Sequence, residues 1–160
     1  MVERGSLLKV SKIKEGTVID HIEPGRGLDA FKILGISSAT GKVITIAMKV
    51  PSEKMGQKDI LKIEGKTLDI SETNKIAVIA PRATINIIKG YRVKRKEKVQ
   101  IPNIISGIIK CPNSSCISNA KREPVTSTFF KRGEDNNTSF QCYYCSQIID
   151  SARLSESLFL

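Results

Sequence analysis

Four cysteines constrain this chain more than any other feature. Cys111 and Cys116 form a Cys-x4-Cys pair, Cys142 and Cys145 form a Cys-x2-Cys pair, and 25 residues separate the two. Two close pairs joined by a loop can supply the four corners of a tetrahedron, which is what a four-thiolate zinc site requires. With every corner taken by sulfur no position is left for water, so such a site is structural and its binding free energy is folding free energy. The competing readings are two disulfides, four unconnected core thiols and an iron–sulfur cluster. Disulfides need an oxidising compartment, and unconnected thiols have no reason to fall in two tight pairs. The first ten residues, MVERGSLLKV, carry Glu3 and Arg4 and no apolar run of signal-peptide length, so a cytoplasmic chain with reduced thiols is expected. Apolar runs such as residues 76–80 fall far short of the roughly 20 residues that a membrane-spanning helix needs.

The cysteines belong to one end of a chain whose composition changes near residue 100. The 160 residues carry a net charge of +10. Residues 1–100 hold 20 Lys and Arg against 11 Asp and Glu, whereas residues 101–160 hold 6 against 5. Six of the eight aromatic residues, and all four cysteines, lie in the second part. Three shifts at one place predict two domains, 1–100 and 101–160, with residues 94–107 as the connector. Some 60 residues of loops and short strands bury little surface, and a domain of that size needs a staple.

In the first part, β-branched runs predict strands over 7–13, 17–22, 42–50, 59–65, 75–80 and 83–93. A helix is expected over 27–35, with Leu28, Phe31 and Leu34 on one stripe and Gly35 as C-cap, and a short one over 71–75 starting from Ser71. This order fits an α+β sandwich with an antiparallel sheet and helices on one face. In the second part, strands are expected within 106–112, 123–132, 139–145 and 147–150, with a turn over 133–137.

Residues 89–98, KGYRVKRKEK, contain six Lys or Arg and one Glu. A solvated edge strand, a nucleic-acid backbone contact and a site for a small polyanion such as a nucleoside triphosphate all fit that composition. The first part has only Phe31 and Tyr91 as aromatics, too few for a base-stacking platform. Asn86 has an amide that can both donate to and accept from a base edge. His21, the only histidine, follows Asp20, and alternation points the two to opposite faces unless the strand ends there. No nucleophile, phosphate-loop glycine motif or HExxH accompanies them, so nothing marks an active site.

The stretches EGTVIDHI (15–22), PSEKMGQKDILKIE (51–64), APRATIN (80–86), CPNSSCIS (111–118), EPVTSTF (123–129) and CYYC (142–145) together resemble the regulatory chains of aspartate carbamoyltransferase, in the family's order. The resemblance implies a ferredoxin-like N-terminal domain that binds nucleotide effectors, CTP as inhibitor and ATP as activator, with UTP as a further candidate. It implies a C-terminal domain with structural zinc on Cys111, Cys116, Cys142 and Cys145 that contacts the catalytic chain, and regulatory dimers in a dodecamer of two catalytic trimers and three regulatory dimers. Catalysis would belong to the other polypeptide. Carried over by motif, Asp20 and His21 would sit beside the ribose and phosphates, Lys62 would reach the ribose and base, and Asn86 would lie near the base. Ile13, Val18, Ile88, Tyr91 and Val93 would shape the pocket, and Lys96 would meet the triphosphate, with Lys94 as a substitute. Strict alternation puts Lys94 and Lys96 opposite Tyr91 and Val93, so the last contact requires a bulge or a strand end. The class-distinct alternative is a zinc-ribbon protein that holds RNA through the basic run, and an enzyme is the third reading.

Overall fold

The computed structural model describes residues 12–37 and 41–159. Their first sheet comprises β1 (Glu15–Ile22), β2 (Ile44–Ser52), β3 (Gly56–Glu64), β4 (Thr84–Lys89) and β5 (Arg92–Lys98), in the order β2-β3-β1-β4-β5. Helix α1 (Gly27–Ile33) follows β1 and α2 (Ile70–Ile79) follows β3. Every neighbouring pair is antiparallel. The succession β-α-β-β-α-β with this strand order is the ferredoxin-like arrangement, and β5 extends it at the β4 edge. Alternation sends Ile19, Leu61, Ile63, Ile85 and Ile87 to one face, where they are buried in a cluster with Ala30 and Ile33 of α1 and Ile76, Ala77 and Ile79 of α2.

Several sequence expectations change. The run 75–80, expected as a strand, is the second half of α2, and the N-cap is Asp69 rather than Ser71. The Asp69 carboxylate accepts the Glu72 N–H (2.8 Å) while the Glu72 carboxylate accepts the Asp69 N–H (2.9 Å), a capping box that starts the helix early enough to swallow the apolar run. The strand expected over 83–93 is a hairpin instead. Gly90 (φ 59°) and Tyr91 (φ 62°) form its two-residue loop between paired Lys89 and Arg92, a geometry that needs two left-handed residues. In α1 the buried residues are Gly27, Ala30 and Ile33, followed by Leu34, whereas Leu28 is 45% exposed, so the inward stripe is offset from the one expected. Gly35, at φ 62°, follows the C-cap Leu34. Of the strand expected over 7–13, residues 7–11 lie outside the described residues, and Lys12 and Ile13 precede β1 without joining it.

The second sheet contains β6 (Ile104–Ser106), β7 (Thr128–Arg132), β8 (Ser139–Cys142) and β9 (Ile148–Asp150), antiparallel and in chain order. Strand β6 ends before most of the span expected at 106–112, because Gly107 turns the chain at φ 72°. Ile105, Ile109, Phe129, Phe140, Ile149 and Leu154 are buried in the same continuous cluster as the helix-side core. Because β5 runs to Lys98 and β6 begins at Ile104, the connector shortens from the expected 94–107 to residues 99–103. No helix among the described residues is long and apolar enough to cross a membrane.

Candidate effector face and metal centre

The sheet face away from the helices carries the polar residues singled out in the sequence. Registers place Lys62 of β3 opposite Val18 of β1, Val18 opposite Asn86 of β4, and Asn86 opposite Lys96 of β5. Directly paired residues share a face, so these four form one row across four strands. Between Ile87 and Ile88 the β4–β5 register shifts by one residue: Arg95 lies opposite Ile87 but Val93 lies opposite Ile88. Lys94 is the extra residue of this bulge, and the bulge puts Val93 and Lys96 on the same face despite their odd spacing. Ile13 and Ile88 are buried yet stand outside the helix-side cluster. Tyr91 donates its backbone N–H to the Lys14 carbonyl (3.1 Å), which ties the β4–β5 loop to the segment carrying Ile13.

One residue pair further along, Asp20 lies opposite Thr84. His21 adopts φ 56° where the β1–β3 register shifts, and its Nδ1 lies 3.4 Å from the Thr84 hydroxyl. The irregularity therefore turns His21 toward the face that Asp20 shares, where strict alternation would have separated them. Lys58 of β3 lies 2.9 Å from the Asp20 carboxylate. Burial alone would raise the Asp20 carboxyl, but the Lys58 ammonium and the His21 N–H outweigh it and hold it below its ordinary value. His21 is pushed down by burial first, and by Lys58, Lys54 and Lys96, against the opposing pull of Asp20. Lys62 is lowered by burial, with Asp20 acting in the other direction. The face thus sets Lys54, Lys58, Lys62, Lys96 and one titratable imidazole around the Asp20 carboxylate, an arrangement that favours a compact polyanion.

The sequence reading missed Lys58, Thr84 and Asp59. Asp59 is fully buried, and its carboxylate accepts the N–H groups of Gly25 (2.9 Å), Gly27 (2.7 Å) and Lys49 (2.7 Å). It pins the β1–α1 turn and the irregular Lys49 (φ 56°) of β2 to the strand that carries Lys58 and Lys62. The only sequence signal was a charged residue in an apolar run, and its partners depend on tertiary register.

At the other end of the chain, the four cysteine sulfurs lie within 4.8 Å of one another. Cys111 Sγ is 3.5 Å from Cys145 Sγ, and Cys116 Sγ is 3.7 Å from Cys142 Sγ. Tetrahedral zinc with Zn–S bonds of about 2.3 Å needs sulfurs about 3.8 Å apart, so this donor set fits the ion. The loop geometry is built locally. Asn119 donates from its amide to the carbonyls of Cys111 and Asn113 (both 2.8 Å), and the Cys116 N–H reaches the Asn113 carbonyl (3.0 Å). In the second pair the Cys142 N–H donates to the Gln147 carbonyl (2.8 Å) and the Ser146 N–H to the Cys142 carbonyl (3.0 Å). Cys111, Cys116 and Cys142 are buried, and the Ser118 hydroxyl lies 3.1 Å from Cys116 Sγ.

Two family models match the chain. The model described as aspartate carbamoyltransferase regulatory chain, allosteric domain, covers residues 8–100, and the one described as the metal binding domain of the same chain covers 103–155. The chain belongs to the aspartate carbamoyltransferase regulatory chain family. Proteins named aspartate carbamoyltransferase regulatory chain include one from Archaeoglobus fulgidus that is 51% identical over 144 residues, covering 90% of this chain and 94% of its own length. Another, from Hyperthermus butylicus, is 48% identical over 157 residues, 98% of each chain. A third, from Pyrococcus horikoshii, is 48% identical over 152 residues, covering 94% of this chain and 98% of its own. Membership makes the chain a non-catalytic, regulatory subunit. The polar face lies within the span of the allosteric model, and all four cysteines lie within that of the metal binding model.

Proposed function

We propose that residues 1–100 form an effector domain that binds a nucleoside triphosphate on the helix-free face, and that residues 101–160 form a zinc domain that docks on the catalytic chain. The observation that carries the reading is the row Lys62–Val18–Asn86–Lys96, with Asp20 and His21 at its next step. A triphosphate carries about four negative charges near neutral pH, and Lys96 and His21, with Lys58 and Lys54 behind them, offset it. Lys94, the bulge residue, is the substitute for Lys96. Asn86 presents a donor and an acceptor to the base, which Lys62 reaches along the same row. Ile13, Val18, Ile88, Tyr91 and Val93 bound the apolar end.

CTP is the inhibitor and ATP the activator in this reading, with UTP as a further ligand, and the chain pairs with its own copy in a dodecamer with catalytic trimers, in the cytoplasm. Regulation requires that each effector bind two states of that assembly with unequal affinity, since equal affinity shifts nothing. The four cysteines would hold zinc as thiolates, and the ion would supply folding free energy to the second sheet.

The test is titration of CTP and ATP into the zinc-loaded chain, followed by reconstitution with the catalytic chain. Saturable binding at one site per chain, with opposite effects of the two nucleotides on carbamoyl transfer, is expected. Binding of RNA that falls steeply with salt and ignores CTP would favour the RNA-binding alternative.

A further inference from the structure

The two cysteine pairs are held in different ways. Around Cys142 and Cys145 the support comes from the backbone: the Cys142 N–H donates to the Gln147 carbonyl and the Ser146 N–H to the Cys142 carbonyl, with Ser146 at φ 64°. Backbone donors of this kind do not depend on which side chain is present. The loop between Cys111 and Cys116 is two residues longer, so it has more freedom to lose when its two sulfurs converge on one point. One backbone bond, from the Cys116 N–H to the Asn113 carbonyl (3.0 Å), closes part of it. The rest of the closure falls to the side chains of Ser118 and Asn119.

Asn119 ends the short turn Ile117–Asn119, where its own N–H donates to the Cys116 carbonyl (2.9 Å). Its Nδ2 carries two hydrogens and directs both at the loop, one to the Cys111 carbonyl and one to the Asn113 carbonyl, each at 2.8 Å. Both acceptors are carbonyl oxygens, so only the amino end of the side chain can face them. The loop is thereby tied from the residue that bears its first sulfur to a residue just beyond its second. Ser118 acts on a sulfur directly, since its hydroxyl lies 3.1 Å from Cys116 Sγ. A metal-bound thiolate has no proton to give, so in the loaded centre the hydroxyl is the donor. Four thiolates around one divalent ion leave an excess of about two negative charges, and a hydrogen bond to sulfur offsets part of it at a site where three of the four cysteines are buried.

We propose that Asn119 and Ser118 are the positioning residues of the metal centre: Asn119 sets the backbone that aims Cys111 and Cys116, Ser118 stabilises the Cys116 thiolate, and together they govern how tightly the first cysteine pair holds the ion. The proposal rests on the reading of the cluster as a zinc site.

The experiment uses the full chain, stripped of metal under reducing conditions and reloaded with zinc or with cobalt(II). Zinc affinity is read by competition with a chelator, and the shape of the centre by the absorption bands of cobalt. Asn119→Asp keeps the side-chain outline but removes both donors, and should lower zinc affinity about tenfold to a hundredfold and shift the cobalt ligand-field bands. Asn119→Ala, which adds no charge, should do the same. Ser118→Ala should move the thiolate-to-cobalt charge-transfer band to lower energy, and Ser118→Thr should restore it. At saturating zinc the near-ultraviolet dichroism of the variants should match that of the unsubstituted chain, which separates lost affinity from lost fold. Affinity and cobalt bands unchanged in the variants overturn the proposal. Affinity lost with the cobalt bands unmoved also overturns it, because a residue that serves only the fold leaves the loaded centre as it was. Where the Asn119 variants fail to fold, a charge-transfer band unmoved in Ser118→Ala overturns it. An unsubstituted chain that takes up no cobalt overturns the zinc reading itself.

Discussion

At the residue scale, the polar side chains that the first sheet gathers on its helix-free face were legible, but two of their neighbours were not. Asp20, His21, Lys62 and Asn86 were nameable from sequence motifs. Lys58 and Thr84 join them only because the antiparallel register brings β3 and β4 to either side of β1. His21 supports a pH prediction. Asp20, Lys58, Lys54 and Lys96 face it, and in the free chain its pKa is lowered from 6.5. A bound triphosphate adds negative charge beside the ring and raises that pKa, so binding takes up a proton. Affinity should be greatest below the free-chain value and fall as pH rises from that value to the bound one. Calorimetry in buffers of different ionisation enthalpy should detect the uptake, and His21→Gln should abolish it. Asp59 makes a stability prediction. Asp59→Ala removes the acceptor shared by three backbone donors, that of buried Gly27 among them, and should cost about 2–3 kcal/mol in denaturant unfolding. Gly27→Ala, whose new Cβ would meet Asp59 at 3.1 Å, should cost less, about 1–2 kcal/mol.

At the element scale, the misread stretches are those where a short apolar run fits both periods. Ile76-Ala77-Val78-Ile79 is buried throughout and alternates with nothing, so periodicity could not separate a helix from a core strand. The pattern Asp69-x-x-Glu72 was the available signal, and Asp69→Ala should lower stability by about 1 kcal/mol. A bulge or strand end in β5 is what strict alternation requires, and the register puts the bulge at Lys94. Deletion of Lys94 should remove the bulge and leave Lys96 opposite Asn86 on the face of Val93, so CTP affinity should hold, whereas Lys96→Met should weaken it. The strand is exposed along its whole length, so the fold should survive both changes, while CTP affinity falls by about tenfold or more in Lys96→Met alone. Unchanged affinity in Lys96→Met would remove Lys96 from the phosphate site.

For the whole molecule, the abrupt change in composition near residue 100 anticipated two sheets with separate roles. It did not anticipate their shared core, because Ile105, Ile108 and Ile109 read equally well as linker or interior. The second sheet has short strands of three to five residues and depends on the cysteine cluster at one end. Removal of zinc by a chelator should therefore disorder it while the first sheet persists. The edge-to-face contacts of Tyr143 with Phe130 (5.6 Å) and Tyr144 (5.1 Å) provide a near-ultraviolet dichroism signal that should vanish in parallel. The central claim is that the helix-free face receives a nucleoside triphosphate and that the basic run serves this compact ligand. The most direct measurement is a backbone amide chemical-shift map of the zinc-loaded chain titrated with CTP. The largest changes are predicted at residues 18–21, 58–62, 84–88 and 93–96, with saturation at one equivalent per chain. Shifts confined to the exposed strand β5, growing without saturation and collapsing with salt, would contradict it.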